Sequence, residues 1–190
     1  GDLFDERTYT MEPAMALLEQ LSKLSPTFYV TGNHEIWSGR FESVQETIGG
    51  YGIIILRNQI ESYFKEDSKI YVVGLDDPSA LSLNRKGQEE AYNDVLAKIT
   101  EETGCGFTIL LAHRPEFIDV YSSYEIDLVL SGHAHGGLIR LPFLGGLIAP
   151  SQGLRPQYTQ GLYEMNQTSM IVSRGLGNSG FGQVRVFNRP

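Results

Sequence analysis

Asp127-Leu128-Val129-Leu130-Ser131-Gly132-His133-Ala134-His135-Gly136 is the stretch on which the reading of this chain turns. An apolar run of strand character stops at a glycine and delivers two imidazoles two residues apart. Residues at i and i+2 of an extended chain share one face, and a glycine-flanked turn lets both reach into one cavity. The same pattern occurs twice more. Phe28-Tyr29-Val30 leads into Gly32-Asn33-His34-Glu35, and Ile109-Leu110-Leu111-Ala112 leads into His113-Arg114-Pro115. His34, His113, His133 and His135 are the 4 histidines of the chain. In open α/β sheets ligands gather outside the carboxyl ends of strands, where all of these histidines fall.

Working outward, the spacing predicts a helix over 12–24, with Pro13 in its first turn and Leu17, Leu18, Leu21 and Leu24 at helical intervals. A short strand follows at 27–31 and a helix over 38–48, with Phe41, Val44 and Ile48 on one face. Strands are predicted at 53–56, 61–64 and 69–74, then a long helix from an Asn84 cap to about Thr103 with Ala91, Val95 and Ile99 inward. Residues 107–112 and 127–130 read as buried strands. The glycine-punctuated tail holds strand segments at 170–173 and 184–187. Strands alternate with helices at first and dominate later, which predicts an α/β fold with mixed sheets sandwiched between helices.

The chain has 190 residues, 41% of them apolar and 20% charged, enough for a real core. With 15 Lys+Arg against 23 Asp+Glu, the net charge is −8. No basic run is present, which argues against binding along a nucleic-acid backbone. A phosphorylated substrate stays open, because a metal ion can supply the positive charge. Cys105, the 1 cysteine, excludes an intrachain disulfide. Gly1 is not an initiator Met, and no signal peptide or long apolar span is present. The expectation is therefore a fragment of a longer protein, with 1–190 forming one domain.

Taken singly, each motif has a bland alternative. Gly132–Gly136 offers imidazoles to a divalent ion or holds surface or core histidines. Gly32-Asn33-His34-Glu35 offers an amide oxygen as ligand, a proton-donating His34, and a Glu35 that holds His34 in one tautomer; it also suits a turn. Asp2, in Gly1-Asp2-Leu3-Phe4-Asp5, can bridge two ions or cap a turn.

Taken together, the order Gly-Asp-x-x-Asp, Gly-Asn-His-Glu, a lone histidine after an apolar strand, and Gly-His-x-His resembles the calcineurin-like metallophosphoesterase superfamily, over Gly1 to His135. The tail segments Gly136–Gly146, Ser151-Gln152-Gly153, Gly161-Leu162-Tyr163 and Ser173–Asn178 look like a bacterial branch associated with the membrane or cell wall, similar to UDP-2,3-diacylglucosamine hydrolases.

The resemblance implies a four-layer αββα fold and two divalent ions that clamp a phosphoryl group, with a bridging water or hydroxide as nucleophile. Asp2 would bridge the ions; Asn33, His113 and His133 would complete one site, and His135 would join the other. His34 would donate the proton to the leaving group or contact the phosphate. Asp5 and Glu35 would orient these residues from behind. Mixed imidazole, amide and carboxylate ligands suit Mn, Fe or Zn. The family also carries an Asp-x-His strand upstream of its Gly-Asp. Nothing precedes Gly1 here, so the resemblance implies a sheet without its first strand and a chain that is no stable monomer by itself.

Arg114 could contact a substrate phosphate or form a surface ion pair. Trp37 could line the substrate entrance or be a core or rim aromatic. Leu141–Ala149 could be an apolar patch that meets lipid, giving peripheral membrane contact, or a packed hairpin. The leading reading is a hydrolase of phosphate esters or pyrophosphates, with a phosphorylated small molecule or lipid-linked substrate. Its rivals are a nucleotide or nucleic-acid phosphodiesterase, with the charge weighing against long nucleic acids but not against cyclic nucleotides, and a metal-binding scaffold or partner-binding module that has lost catalysis.

Overall fold

Helix α1 (Glu12–Leu24) opens the regular structure, with proline in its first turn. The computed structural model describes residues 1–5, 11–65, 68–141 and 145–176. Strand β1 (Phe28–Tyr29) runs into helix α2 (Asn33–Trp37), where a turn is expected from sequence. Helix α3 (Phe41–Gly50) and strands β2 (Ile54–Ile55), β3 (Gln59–Lys65) and β4 (Ser68–Gly74) follow. After helix α4 (Arg85–Thr103) come β5 (Phe107–Leu111), the short helix α5 (Ile118–Tyr121) and β6 (Leu128–Ser131). The chain continues through β7 (Ile139–Leu141), β8 (Gly145–Ala149), β9 (Gly153–Leu154), β10 (Gly161–Met165) and β11 (Thr168–Val172). The strand expected at 184–187 lies outside the described residues.

Six strands form a mixed sheet in the order β10-β11-β6-β5-β4-β3. Its middle, β4, β5, β6 and β11, is parallel, and both outer pairs are antiparallel. Strands β1 and β2 form a second, parallel pair. The core divides into three clusters that define the layers. Leu18 of α1 and Phe41, Val44 and Ile48 of α3 pack on Tyr29 and Ile53. Val30 and Leu56 pack on Val72 between the two sheets. Tyr92, Leu96 and Ile99 of α4 and Ile118 and Tyr121 of α5 pack on Val73, Leu110, Val129 and Met170. The order is therefore helix, sheet, sheet, helix, the mixed α/β sandwich expected from the sequence. On the inter-sheet side, Leu130 and its register neighbours Ile171 and Leu162 are exposed.

Two helical faces differ from expectation. In α4 the buried stripe is Tyr92, Leu96, Ile99 and Thr103, one residue on from Ala91 and Val95. The stripe with the larger side chains wins the interior, and Val95 packs at its margin. In α1 only Ala14 and Leu18 are buried, whereas Leu24 is exposed. The Asn84 cap holds, its Oδ1 accepting from the Gly87 N–H at 3.0 Å. Of the apolar stretch 141–149, the described part forms the β7–β8 hairpin; Phe143 and Leu144 lie outside the described residues. Among the described residues no helix is long and apolar enough to cross a membrane.

The two sheets meet at Gly74, where a Cβ would collide with Leu56 Cβ and stand 2.8 Å from Val30 Cγ1. Gly74→Ala should force the sheets apart and destabilise the protein by roughly 1–3 kcal/mol. Urea denaturation reads this directly, and an unchanged midpoint would show that the junction yields freely.

Candidate metal centre

The carboxyl ends of β5 and β6 bring His113 and His133 together. The Ala112 N–H donates to Leu130 O at 3.2 Å, the Gly132 N–H to His113 O at 3.1 Å, and the Ser131 hydroxyl to Ala112 O at 2.6 Å. These bonds continue the ladder past the strands and fix the two loops side by side. The rings of His113 and His133 then lie 5.0 Å apart between centroids at an interplanar angle of 68°. His133 Nδ1 is 3.2 Å from His113 Nε2.

Asp2 arrives from the loop that begins the chain. Gly1 and Gly32 let this loop lie directly on the loop after β1; a Cβ on Gly1 would stand 2.6 Å from Gly32 Cα. Buried Glu35 locks the two together. Its Oε2 accepts from the Asp2 and Gly32 N–H groups and its Oε1 from the Leu3 N–H, each at 2.7 Å. The His34 N–H donates to Asp2 Oδ1 at 2.9 Å. Asp2 Oδ2 is left 2.9 Å from His113 Nε2, and no hydrogen bond closes on it.

Asp2, His113 and His133 thus offer three ligand atoms within 4.8 Å of one another. Ligands at about 2.1 Å from a divalent ion, mutually cis, stand about 3 Å apart, and the two short separations here match that. Asn33, in the first turn of α2, is buried with its Oδ1 also lacking a hydrogen bond. A buried polar atom left unpaired costs about 1–3 kcal/mol, and a cation is one partner that would satisfy such an oxygen. Electrostatics point the same way. Burial would raise the Asp2 carboxyl, but His113 and the His34 N–H overcome it and hold the group well below the usual carboxylate range. Burial, with Arg114 and His113 beside it, pushes His133 well below the usual histidine value, leaving a neutral imidazole with a lone pair to offer. Asp2, His133 and His135 all adopt left-handed backbone, φ 55°, 61° and 53°, a conformation that side chains other than glycine rarely take and that concentrates at functional sites.

His135 is half-buried two residues on from His133 and is not one of the three clustered residues. His34 is half-buried, its ring 5.8 Å from that of Trp37, which is 56% exposed and so no core residue. Asp5 is half-buried in the same loop as Asp2. Both Glu35 oxygens are taken by backbone N–H groups, so the carboxylate orients the Asp2 loop, where the sequence suggests the His34 ring. Arg114 is buried and faces inward: Nε and Nη2 donate to the Asp77 carboxylate at 2.6 and 2.9 Å, and Nη1 to Ser151 Oγ at 2.6 Å. Glu116 Oε1 lies 3.6 Å from the same guanidinium, and burial raises the Glu116 carboxyl. Sequence reasoning misses Asp77 and Ser151. Asp77-Pro78 carries a helix-start signal, and Asp77 does cap the turn Pro78–Leu81; nothing local pairs it with Arg114.

Residues 1–137 match the family described as calcineurin-like phosphoesterase. The chain belongs to that family. Among its relatives, the metallophosphoesterase YkuE of Bacillus subtilis is 33% identical over 181 residues, covering 93% of this chain and 59% of YkuE. The phosphodiesterase YaeI of Escherichia coli is 29% identical, covering 85% of this chain and 55% of YaeI. A transmembrane protein with metallophosphoesterase domain from Danio rerio is 30% identical, over 100% of this chain and 42% of that protein. This calcineurin-like chain thus spans about half the length of the curated relatives it matches. Thermus thermophilus sulfate thiohydrolase SoxB, in complex with glycerol, shares the fold, with a TM-score of 0.51 at 15% identity over 85% of this chain and 30% of SoxB.

Glu35→Gln would turn one acceptor into a donor facing backbone N–H groups and loosen the Asp2 loop. Mn²⁺ affinity should fall roughly 10- to 100-fold, the usual effect of losing a ligand's supporting partner. Titration of the metal-free protein with Mn²⁺ measures it; full affinity in Glu35→Gln would detach the clamp from metal binding.

Proposed function

We propose that this chain carries the metal centre of a phosphoester hydrolase. The observation that supports it is the buried, hydrogen-bond-free oxygen Asp2 Oδ2 beside the convergent nitrogens of His113 and His133, with a second such oxygen, Asn33 Oδ1, at the start of α2. Asp2, Asn33, His113 and His133 would hold one divalent ion, and Asp2 with His135 would contribute to a second, Asp2 being the bridge. Divalent ions so held polarise a phosphoryl group and activate water at neutral pH.

The chain's own part is orientation and proton handling. Glu35 and the His34 N–H fix the Asp2 carboxylate, leaving Oδ2 for metal. The half-buried His34 ring, beside the exposed Trp37, supplies the proton to the departing oxygen. The reading includes no side-chain nucleophile and no covalent intermediate. Proposed substrates are phosphodiesters or pyrophosphates of small molecules, lipid-linked ones included. Relatives named phosphodiesterase and transmembrane protein with metallophosphoesterase domain support that choice, as does the net charge of −8, which disfavours long nucleic acids.

The test is turnover of bis-p-nitrophenyl phosphate and p-nitrophenyl phosphate by the Mn²⁺-loaded protein. His34→Ala should keep its metal and lose kcat by on the order of 10²-fold. His133→Ala should lose metal and activity together. Equal metal loss in the two variants would make His34 a ligand, and absence of Mn²⁺-dependent turnover in the parent would overturn the proposal.

A further inference from the structure

The antiparallel sheet β7-β8-β9 starts just after His135 and lies beyond residues 1–137 that match the family. It docks on the histidine turn by close backbone approach. The Leu138 N–H donates to Ile148 O at 2.7 Å, and a Cβ on Gly137 would stand 2.6 Å from Gly146 Cα. The turn between β8 and β9 is thereby carried behind His133. Gln152 pins the loop that follows, its Oε1 accepting from the Gln157 and Tyr158 N–H groups. Ser151, an exposed residue with φ 58°, points its hydroxyl from this turn toward His133 and Arg114. Its Oγ is 3.0 Å from His133 Nε2 and accepts from Arg114 Nη1, while Asp77 holds the guanidinium by two further bonds.

His133 therefore has two differently furnished edges. Nδ1 faces His113, whose Nε2 is itself 2.9 Å from Asp2 Oδ2; Nε2 faces Ser151 and Arg114. A neutral imidazole carries one ring proton, so ligation through Nδ1 requires that proton on Nε2. The Ser151 oxygen can accept it. Arg114 cannot, because a guanidinium has donors only. Its Nη1 is 3.3 Å from Nε2, and without the serine oxygen it would favour a bare Nε2 and a protonated Nδ1, the form unable to bind metal.

We propose that Ser151 is a positioning residue for the metal centre: its oxygen, oriented by the Arg114–Asp77 pair, keeps the His133 proton on Nε2 and leaves the Nδ1 lone pair for the metal. This rests on the metal-centre reading above.

The test compares Ser151→Gly, Ser151→Ala and Ser151→Asn. Glycine suits φ 58° and removes the hydroxyl without backbone strain; asparagine tolerates that conformation and restores an oxygen acceptor. Imidazole ¹⁵N shifts in the metal-free protein report the His133 tautomer, and electron paramagnetic resonance of free Mn²⁺ gives affinity. The wild type should hold its proton on Nε2. The Gly and Ala variants should move it to Nδ1 and bind Mn²⁺ roughly 10- to 100-fold more weakly, with melting temperatures preserved in the Gly variant and affinity recovered in part by Asn. An unchanged tautomer and affinity in both Gly and Ala variants, or a wild type already protonated on Nδ1, would overturn the proposal. A wild type that binds no Mn²⁺ would instead defeat the metal-centre reading, while the tautomer shifts would still decide the role of Ser151.

Discussion

One buried carboxylate accepting three backbone N–H groups is the constraint on which the site depends. Glu35 is fully buried, and burying a bare charge would be prohibitive. The Asp2, Leu3 and Gly32 N–H groups replace its water with charge-assisted bonds, stronger than neutral ones. Those donors belong to two segments about thirty residues apart, so the anion gains full solvation only when the segments meet. That meeting turns the Asp2 Oδ1 edge toward the His34 N–H and the other edge toward His113.

The glycines make such meetings possible. Gly1 lies on Gly32, Gly74 admits Leu56 and Val30, and Gly137 lies on Gly146. At each point a methyl group would occupy space already filled. These contacts tie the N-terminal loop to the β1 loop, one sheet to the other, and the small sheet to the histidine turn. The geometry of the cluster therefore depends on backbone approach distances, whose tolerance is a fraction of a side chain.

Much of this was legible in the sequence where the signal is local. The Asn84 cap, the strands leading to His113 and His133, and the alternation of helices and strands follow from propensity and periodicity over short windows. The short helix α2 was not, because Gly-Asn-His-Glu also suits a turn; the helix forms with Glu35 reaching back to the Gly32 N–H. Glu35 shows why site roles resist such reading. Its neighbour in sequence is His34, but its bonds go mostly to residues 32 and 33 positions away. Arg114 likewise meets Asp77 and Ser151, each 37 residues distant, pairings that no periodicity encodes.

The fate of Arg114 also bears on how a phosphate could be held. The guanidinium is a cation in contact with His133, which makes it an obvious anion partner. Asp77 neutralises it with two hydrogen bonds, and Asp77 hydrogen-bonding and charge raise its pKa further although burial alone would lower it. A buried ion pair of this kind seldom adds net stability over an apolar equivalent, yet breaking it is costly. Its value here lies in fixed geometry, since a guanidinium held at both ends presents Nη1 to Ser151 at one position. With that charge cancelled and burial holding His133 neutral, the Asp2 carboxylate favours a cation at the cluster over bare phosphate. Under the proposed metal-centre reading, charge would therefore impose an order of binding: a divalent ion first, and a phosphoryl group through the field that the ion provides.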